Sequence, residues 1–230
     1  MDRAWSGPRA PGRCGPGAVV IIAIEAASTD LSLAVAGPDG DVLAEDAWTS
    51  DRRQSAELMP HLLALLEREG IGLEAVTGIG VGSGPGSFTG LRVAMALAKG
   101  LAVGLRRPLV AVPSLTAWLE ADPDADLAIA RAGARDAFVQ ARGADAPLVA
   151  DRDALASRLD GRTVVAPSEL AEAFELSGAH SPRGAAAVAR AAAARLATDP
   201  DGDDPRTVEP IYLRAPRGIA ADAEGEVRWL

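Results

Sequence analysis

Four glycines, Gly82, Gly84, Gly86 and Gly90, crowd one short stretch of this chain, with Pro85 among them and Ser87, Phe88 and Thr89 before the last. Glycine permits positive φ and close backbone approach, and proline fixes one φ, so the shape of this loop is written into its residues. A β-type run, Val76 to Val81, leads in, and a helix-forming run, Leu91 to Val103, leads out. The free N–H groups of such a helix N-terminus attract anions, which raises a phosphate-binding reading. The spacing opposes it, because no Gly-Lys-Ser/Thr closes the loop. Lys99, the only lysine, lies ten residues past Thr89, or about 15 Å along a helix rising 1.5 Å per residue. Pro85 and Phe88 also interrupt a dinucleotide fingerprint. The residues therefore favour a shaped turn, Gly84-Pro85-Gly86-Ser87-Phe88-Thr89-Gly90, that packs helix on sheet, with Ser87 or Thr89 as the helix N-cap.

Other chemistry-bearing residues are sparse. Glu25 closes the first apolar run, where a doubly wound or actin-like kinase places a metal-binding or nucleotide-facing carboxylate; a strand-end residue facing solvent is the alternative. The Ala26-Ala27-Ser28 that follows offers a phosphate few hydrogen-bonding groups. Glu57 and His61 stand at i, i+4, a spacing able to hold a metal, but no third ligand is near, so a solvated surface pair is expected. His61 and His180 are the only histidines, and neither sits in a nucleophile elbow. Cys14 is the single cysteine; it excludes an internal disulfide and fits a reducing compartment.

The elements that must position these residues read in order. Val19 to Ile24 is a continuous β-branched run, suited to a strand buried on both faces. Leu31 to Val35 alternates, Pro38-Asp39-Gly40-Asp41 turns, and Val42-Leu43-Ala44 resumes, giving a three-stranded meander. Ser55 is expected to cap a helix that ends at Glu69, with Gly70 as its stop and Pro60 inside it. The helix after the glycine loop is apolar nearly all round, with Arg92 and Lys99 on one strip, so two of its sides must be covered. The small ridge Ala94, Ala98, Ala102 is expected to meet a partner helix together with Leu58, Leu62 and Leu66, while Val93 and Leu97 face the sheet. Leu109 to Val112 reads as a strand, with Ser114 capping a helix from Leu115 to Glu120. Asp122-Pro123-Asp124 marks a lobe boundary. Strands at Leu127–Ala130, Ala137–Gln140 and Thr163–Val165 and helices at Ser168–Leu176 and Gly184–Ala197 follow. The alanines of the last helix reflect helix propensity, and the acidic loop from Asp199 to Asp204 reads as a solvated connector.

At 230 residues and 48% hydrophobic content the chain can form one large domain or two small lobes. Its net charge of −9 opposes a free-standing nucleic-acid binder, although Arg52-Arg53 or Arg106-Arg107 can form a local patch. No apolar run reaches the roughly 18–20 residues that span a bilayer. Met1 to Gly17 lacks an apolar segment of the secretory kind and reads as a flexible extension.

Gly84-Pro85-Gly86-Ser87-Phe88-Thr89-Gly90-Leu91-Arg92, followed by Ala98-Lys99-Gly100-Leu101-Ala102, closely resembles the signature of the TsaB (YeaZ) family, accessory subunits of the bacterial tRNA threonylcarbamoyladenosine machinery. Ile22-Ala23-Ile24-Glu25 resembles that family's first strand, Ser55 to Pro60 its first helix, and Pro210 to Arg214 its late Pro-x-Tyr-Leu-Arg motif. The resemblance spans Val19 to Arg214. It implies an actin-like (ASKHA, RNase H-like) α/β fold with a lobe over 18–113, a second over 114–205 and a closing segment over 206–230. It also implies a cytoplasmic role as partner of the TsaD transferase, with the ATPase TsaE in the same assembly, tRNA met through the complex, a homodimer possible in isolation, and no membrane.

Three departures qualify the resemblance. The family's Asp-Thr-Ser is Glu25-Ala26-Ala27 here; Arg131 and Gly133 stand where Asp and Arg are usual; and the metal-binding His-x-x-x-His of the catalytic paralogue falls on Ser114 and Trp118. The resemblance therefore implies a non-catalytic scaffold with no cofactor of its own, ATP and a divalent metal belonging to partner subunits. The alternative is a self-sufficient actin-like enzyme, either a small-molecule kinase or a metallopeptidase.

Overall fold

The computed structural model describes residues 19–133, 136–159, 161–176, 178–182 and 184–213. Cys14, the extension 1–17, Arg214 and the end of the closing segment lie outside the described residues. The chain opens with β1 (Val20–Glu25), β2 (Asp30–Ala36) and β3 (Val42–Thr49), then α1 (Gln54–Glu69), β4 (Val76–Gly82), α2 (Phe88–Leu105), β5 (Leu109–Val112) and α3 (Ser114–Ala121). The remainder comprises β6 (Leu127–Arg131), β7 (Asp136–Ala141), β8 (Leu148–Asp151), α4 (Arg152–Leu159), β9 (Val164–Val165), α5 (Ser168–Ala173) and α6 (Gly184–Thr198).

The first sheet has the order β3-β2-β1-β4-β5. The meander pairs antiparallel, and β4 and β5 join β1 in parallel. All six residues of β1 are buried, as its unbroken apolar run requires at the centre of a sheet covered on both faces. The second sheet has the order β8-β7-β6-β9. Its strand β8 and helix α4 have no counterpart in the sequence reading, because both are short and weakly patterned.

On one face of the first sheet α1 and α2 pack side by side. Leu58, Leu62 and Leu66 of α1 share one core with Ala94, Ala98 and Ala102 of α2 and with Val20, Ile22 and Ile24 of β1. This overturns the expected partner ridge: Ala94 and Ala98 are 0% exposed and Ala102 is 2% exposed. Small side chains let α2 settle directly onto the sheet, while Val93 and Leu97 are only partly buried at the margin. The leucine stripe is likewise internal.

The other face is covered by α6, whose Ala185, Ala189, Ala192 and Ala193 pack with Ile21, Ala23 and Ala34. Its alanines are there for close approach as well as propensity. A Cβ added at Gly80 of β4 would lie 3.0 Å from Val188 Cγ1 and 3.1 Å from Ala192 Cβ, closer than ordinary contacts allow. The sequence assigns α6 to the second lobe; it packs on the first sheet.

Local signals also shift. α1 begins at Gln54 after Arg53, with no side-chain cap, so Ser55 lies within the helix; Gly70 stops it in the left-handed region at φ 69°. Pro113 precedes α3 as its cap residue, which frees the Ser114 hydroxyl. The acidic loop is not a simple connector. Asp203 takes the amide of Ala111 at 2.8 Å, donates its own amide to Leu109 at 2.7 Å and pairs with Arg195 at 2.7 Å. It thereby covers the edge of β5, which would otherwise present unpaired backbone groups.

Candidate functional site

In an α/β sheet, ligand sites lie beyond the carboxyl ends of the parallel strands. Here the ends of β1, β4 and β5 bring Glu25, the glycine loop and Ser114 together. Glu25 is 1% exposed, which rules out the solvent-facing alternative. Its Oε1 accepts the Ala27 amide at 2.7 Å and the Ser114 hydroxyl at 3.1 Å. The same hydroxyl oxygen accepts the Gly84 amide at 3.0 Å, and the Ser114 amide donates to the Gly84 carbonyl at 2.8 Å. Glu25 is thus wired through Ser114 to the first turn of the glycine loop.

β4 and the start of α6 pack closely on Glu25. A Cβ at Gly82 would overlap Glu25 Oε2, and one at Gly184, where α6 begins, would lie 2.6 Å from Trp118 Cδ1 and 2.8 Å from Glu25 Cγ. Trp118 is 0% exposed. Burial pushes the Glu25 carboxyl up to about 7, against the hydrogen bonds from Ala27 and Ser114 that favour its charged form. The group can hold a proton near neutrality, but this deeply buried it meets no solvent-borne substrate. Ser114 and Trp118 offer a hydroxyl and an indole N–H where a metal site needs imidazole or carboxylate.

The glycine loop is pressed onto the segment leaving β1. A Cβ at Gly86 would overlap the Ala27 carbonyl oxygen, and one at Gly90 the Ala26 carbonyl oxygen. The Ser87 amide donates to Ala27 at 2.6 Å. Of the two candidate caps Ser87 is the one used: its Oγ accepts the Gly90 amide at 3.2 Å, whereas Thr89 is exposed in the first turn. These contacts support a shaped turn that packs α2 on the sheet. The described part of the late motif docks on the same loop: Ile211 donates its amide to Ser83 at 2.7 Å, and Arg92 Nε donates to the Tyr212 hydroxyl at 3.1 Å.

Glu57 and His61 do not pair with one another. The Trp48 indole donates to Glu57 at 3.1 Å, while His61 stacks on Trp48 with ring centroids 3.8 Å apart and meets Asp46 at 2.7 Å. His180 pairs with Asp122 at 2.5 Å at the end of α3. Among the described residues no three His, Cys, Asp or Glu side chains are grouped to hold a metal.

The outward side of the helix layer has a different character. Leu63 of α1 is 44% exposed and Val103 of α2 is 68% exposed. Beside them Ala96, Gly100 and Gly104 are also exposed, and nothing lies within 4 Å of a Cβ added at either glycine. A helical glycine costs about 1 kcal/mol relative to alanine, and within the monomer no packing offsets that cost. The outward small ridge was missed because it sits two positions along from the buried one, on a helix whose composition gives both the same signature.

The two-sheet α/β architecture is the actin-like, RNase H-like fold. YeaZ from Pseudomonas aeruginosa superposes with a TM-score of 0.65 at 22% identity, over 85% of this chain and 100% of that one. The chain belongs to the family described as TsaD, tRNA N6-adenosine threonylcarbamoyltransferase, whose model matches residues 42–166. The TsaB resemblance carried by the glycine loop is supported by curated relatives described as tRNA threonylcarbamoyladenosine biosynthesis protein TsaB. The Haemophilus influenzae protein is 38% identical over 72 residues, 31% of this chain and 30% of its own length. The Escherichia coli protein is 34% identical over 95 residues, 41% of this chain and 40% of its own length. The chain thus aligns with less than half the length of each. An uncharacterized Mycobacterium leprae protein is 27% identical over 219 residues, covering 89% of this chain and 58% of that protein.

Proposed function

We propose that this chain is a cytoplasmic, non-catalytic scaffold that pairs with the TsaD transferase and supports threonylcarbamoylation of adenosine 37 in tRNA. The observation that carries the reading is the outward face of α1 and α2. On α2 the exposed Val103 adjoins a ridge of Ala96, Gly100 and Gly104 that leaves room for another helix to approach closely, and Leu63 of α1 is exposed as well. The partner surface expected from the sequence keeps its two helices and changes its residues. The carboxyl end of the sheet supports the same reading: Glu25 and Trp118 are buried there, and Ser114 and Trp118 offer no imidazole or carboxylate to a metal. On this reading ATP and the divalent metal belong to TsaD and TsaE, tRNA is met through the complex, and in the absence of TsaD the same face can bring two copies of the chain together.

The test is reconstitution with purified components. The chain alone, given tRNA and threonylcarbamoyl-AMP, should leave the tRNA unmodified, and adding TsaD and TsaE should give modification that depends on the chain. Modification by the chain alone would overturn the scaffold reading in favour of a self-sufficient enzyme. TsaD activity indifferent to the chain would overturn it as well.

A further inference from the structure

Hydrogen-bond donors surround the Glu25 carboxyl. The Ala27 amide and the Ser114 hydroxyl hold Oε1. Oε2 is buried without a hydrogen-bond partner, and so is Nε1 of Trp118. Both line the point where α6 begins: a Cβ on Gly184 would lie 2.7 Å from Trp118 Nε1 and 2.8 Å from Glu25 Cγ. A buried unsatisfied donor beside a buried unsatisfied acceptor is an unspent hydrogen bond, and each group so left costs about 1–3 kcal/mol.

We propose that Glu25 is a proton-operated anchor for α3, which in its ionised form draws in the Trp118 indole N–H and in its protonated form releases it. The ionised carboxylate accepts on both oxygens, so the Ala27, Ser114 and Trp118 donors are all used. A proton on Oε2 turns that oxygen into a donor facing another donor, and the indole loses its acceptor. Because Ser114 Oγ also accepts the Gly84 amide, the change at Glu25 reaches the glycine loop and the start of α2.

Among the described residues, the elements packed on Glu25 contribute no rival titrating group. β4 presents Gly82, α6 presents Gly184, α3 presents Ser114 and Trp118, and the segment after β1 presents Ala26 and Ala27. No charged side chain bonds to the carboxyl among the described residues. Burial pushes this carboxyl up to about 7, so the anchor switches near neutral pH. The two histidines sit elsewhere, His61 against Trp48 and His180 against Asp122.

The experiment follows the four indole N–H resonances of the 15N-labelled full chain between about pH 5.5 and pH 8.5, with Trp118 assigned by elimination in Trp5→Phe, Trp48→Phe and Trp229→Phe. The Trp118 resonance should move in a single step with a midpoint near 7, in the direction of stronger hydrogen bonding as pH rises. The movement should persist in His180→Gln and vanish in Glu25→Gln. Should Glu25→Gln not fold, the side-chain carboxyl carbon of Glu25, followed in the unaltered protein, must titrate with the same midpoint as the indole. A Trp118 resonance that does not move, that moves equally in folded Glu25→Gln, that stops moving in His180→Gln, or that moves with a different midpoint from the Glu25 carboxyl overturns the proposal.

Discussion

The amide of Ile211 donates to the carbonyl of Ser83 at 2.7 Å, joining the last described segment of the chain to the entrance of the glycine loop. One residue further on, the Tyr212 ring stands 5.3 Å from Phe88, and Arg92 lies 4.1 Å over the same Phe88 ring while donating to the Tyr212 hydroxyl. The two sequence motifs most characteristic of the family resemblance are thus one structural unit that braces the first turn of α2.

Removing that brace should be measurable as stability. Tyr212→Phe keeps the ring and loses one hydrogen bond to a charged donor, worth about 1.5–3 kcal/mol and less here because the pair is exposed. Tyr212→Ala also loses the aromatic contact, adding about 0.5–1.5 kcal/mol. Urea unfolding should rank the two variants in that order below the unaltered protein. Equal midpoints for all three would show that the closing segment does not brace α2.

How much of this was legible in the sequence depended on whether a residue's neighbours were local. The buried β1 run, the meander, the Gly70 stop and the packing role of the glycine loop all follow from nearby residues, and all are found as read. The direction of α2 was not legible. Ala94, Ala98, Ala102 and Ala96, Gly100, Gly104 are both small ridges on one apolar helix, and only the position of the sheet decides which is inside. The environment of Glu25 was hidden for a related reason: Ser114, Trp118 and Gly184 reach it from elements far apart in the chain. The alanines of α6 carried a propensity signal that masked their fit against Gly80.

The buried carboxyl gives a pH dependence whose sign can be fixed. The folded chain holds the Glu25 proton up to about 7, whereas the ordinary value is 4.5. Between these values the folded state binds more protons than the unfolded one, so this group makes stability fall as pH rises from 4.5 through 7, and adds nothing to the slope beyond either end. At about 1.4 kcal/mol per pH unit the whole loss is about 3 kcal/mol. Glu25→Gln removes the titration. The variant should match the unaltered protein near pH 4.5 and exceed its stability by up to about 3 kcal/mol at pH 8, as measured by urea denaturation at several pH values. A difference that is independent of pH would mean that the Glu25 carboxyl keeps its ordinary value in the folded chain.

Two arginine substitutions on α2 separate the core from the partner face. Ala98 is 0% exposed in the core with Leu62 and Ile22, so Ala98→Arg puts an unpaired charge and a long stem where neither fits. An uncompensated buried charge costs about 3–5 kcal/mol, a large share of the 5–15 kcal/mol that typically holds a domain together. At about 2–4 °C per kcal/mol for a chain of this size, the melting temperature should fall by about 10 °C or more. Val103 is 68% exposed, and Val103→Arg should leave the monomer within about 0.5 kcal/mol of its original stability. At the centre of an interface the same arginine should cost 2 kcal/mol or more, at least about 30-fold in affinity for TsaD. Gly100→Ala refines the test: with open space around the added methyl, it should stabilise the monomer by up to about 1 kcal/mol while weakening TsaD binding, because the second helix can no longer come as close. The measurements are thermal melts of each variant beside titration calorimetry with TsaD. Normal melting of Ala98→Arg would mean that α2 is turned differently on the sheet, and full-strength TsaD binding by Val103→Arg would move the partner surface off α2 altogether.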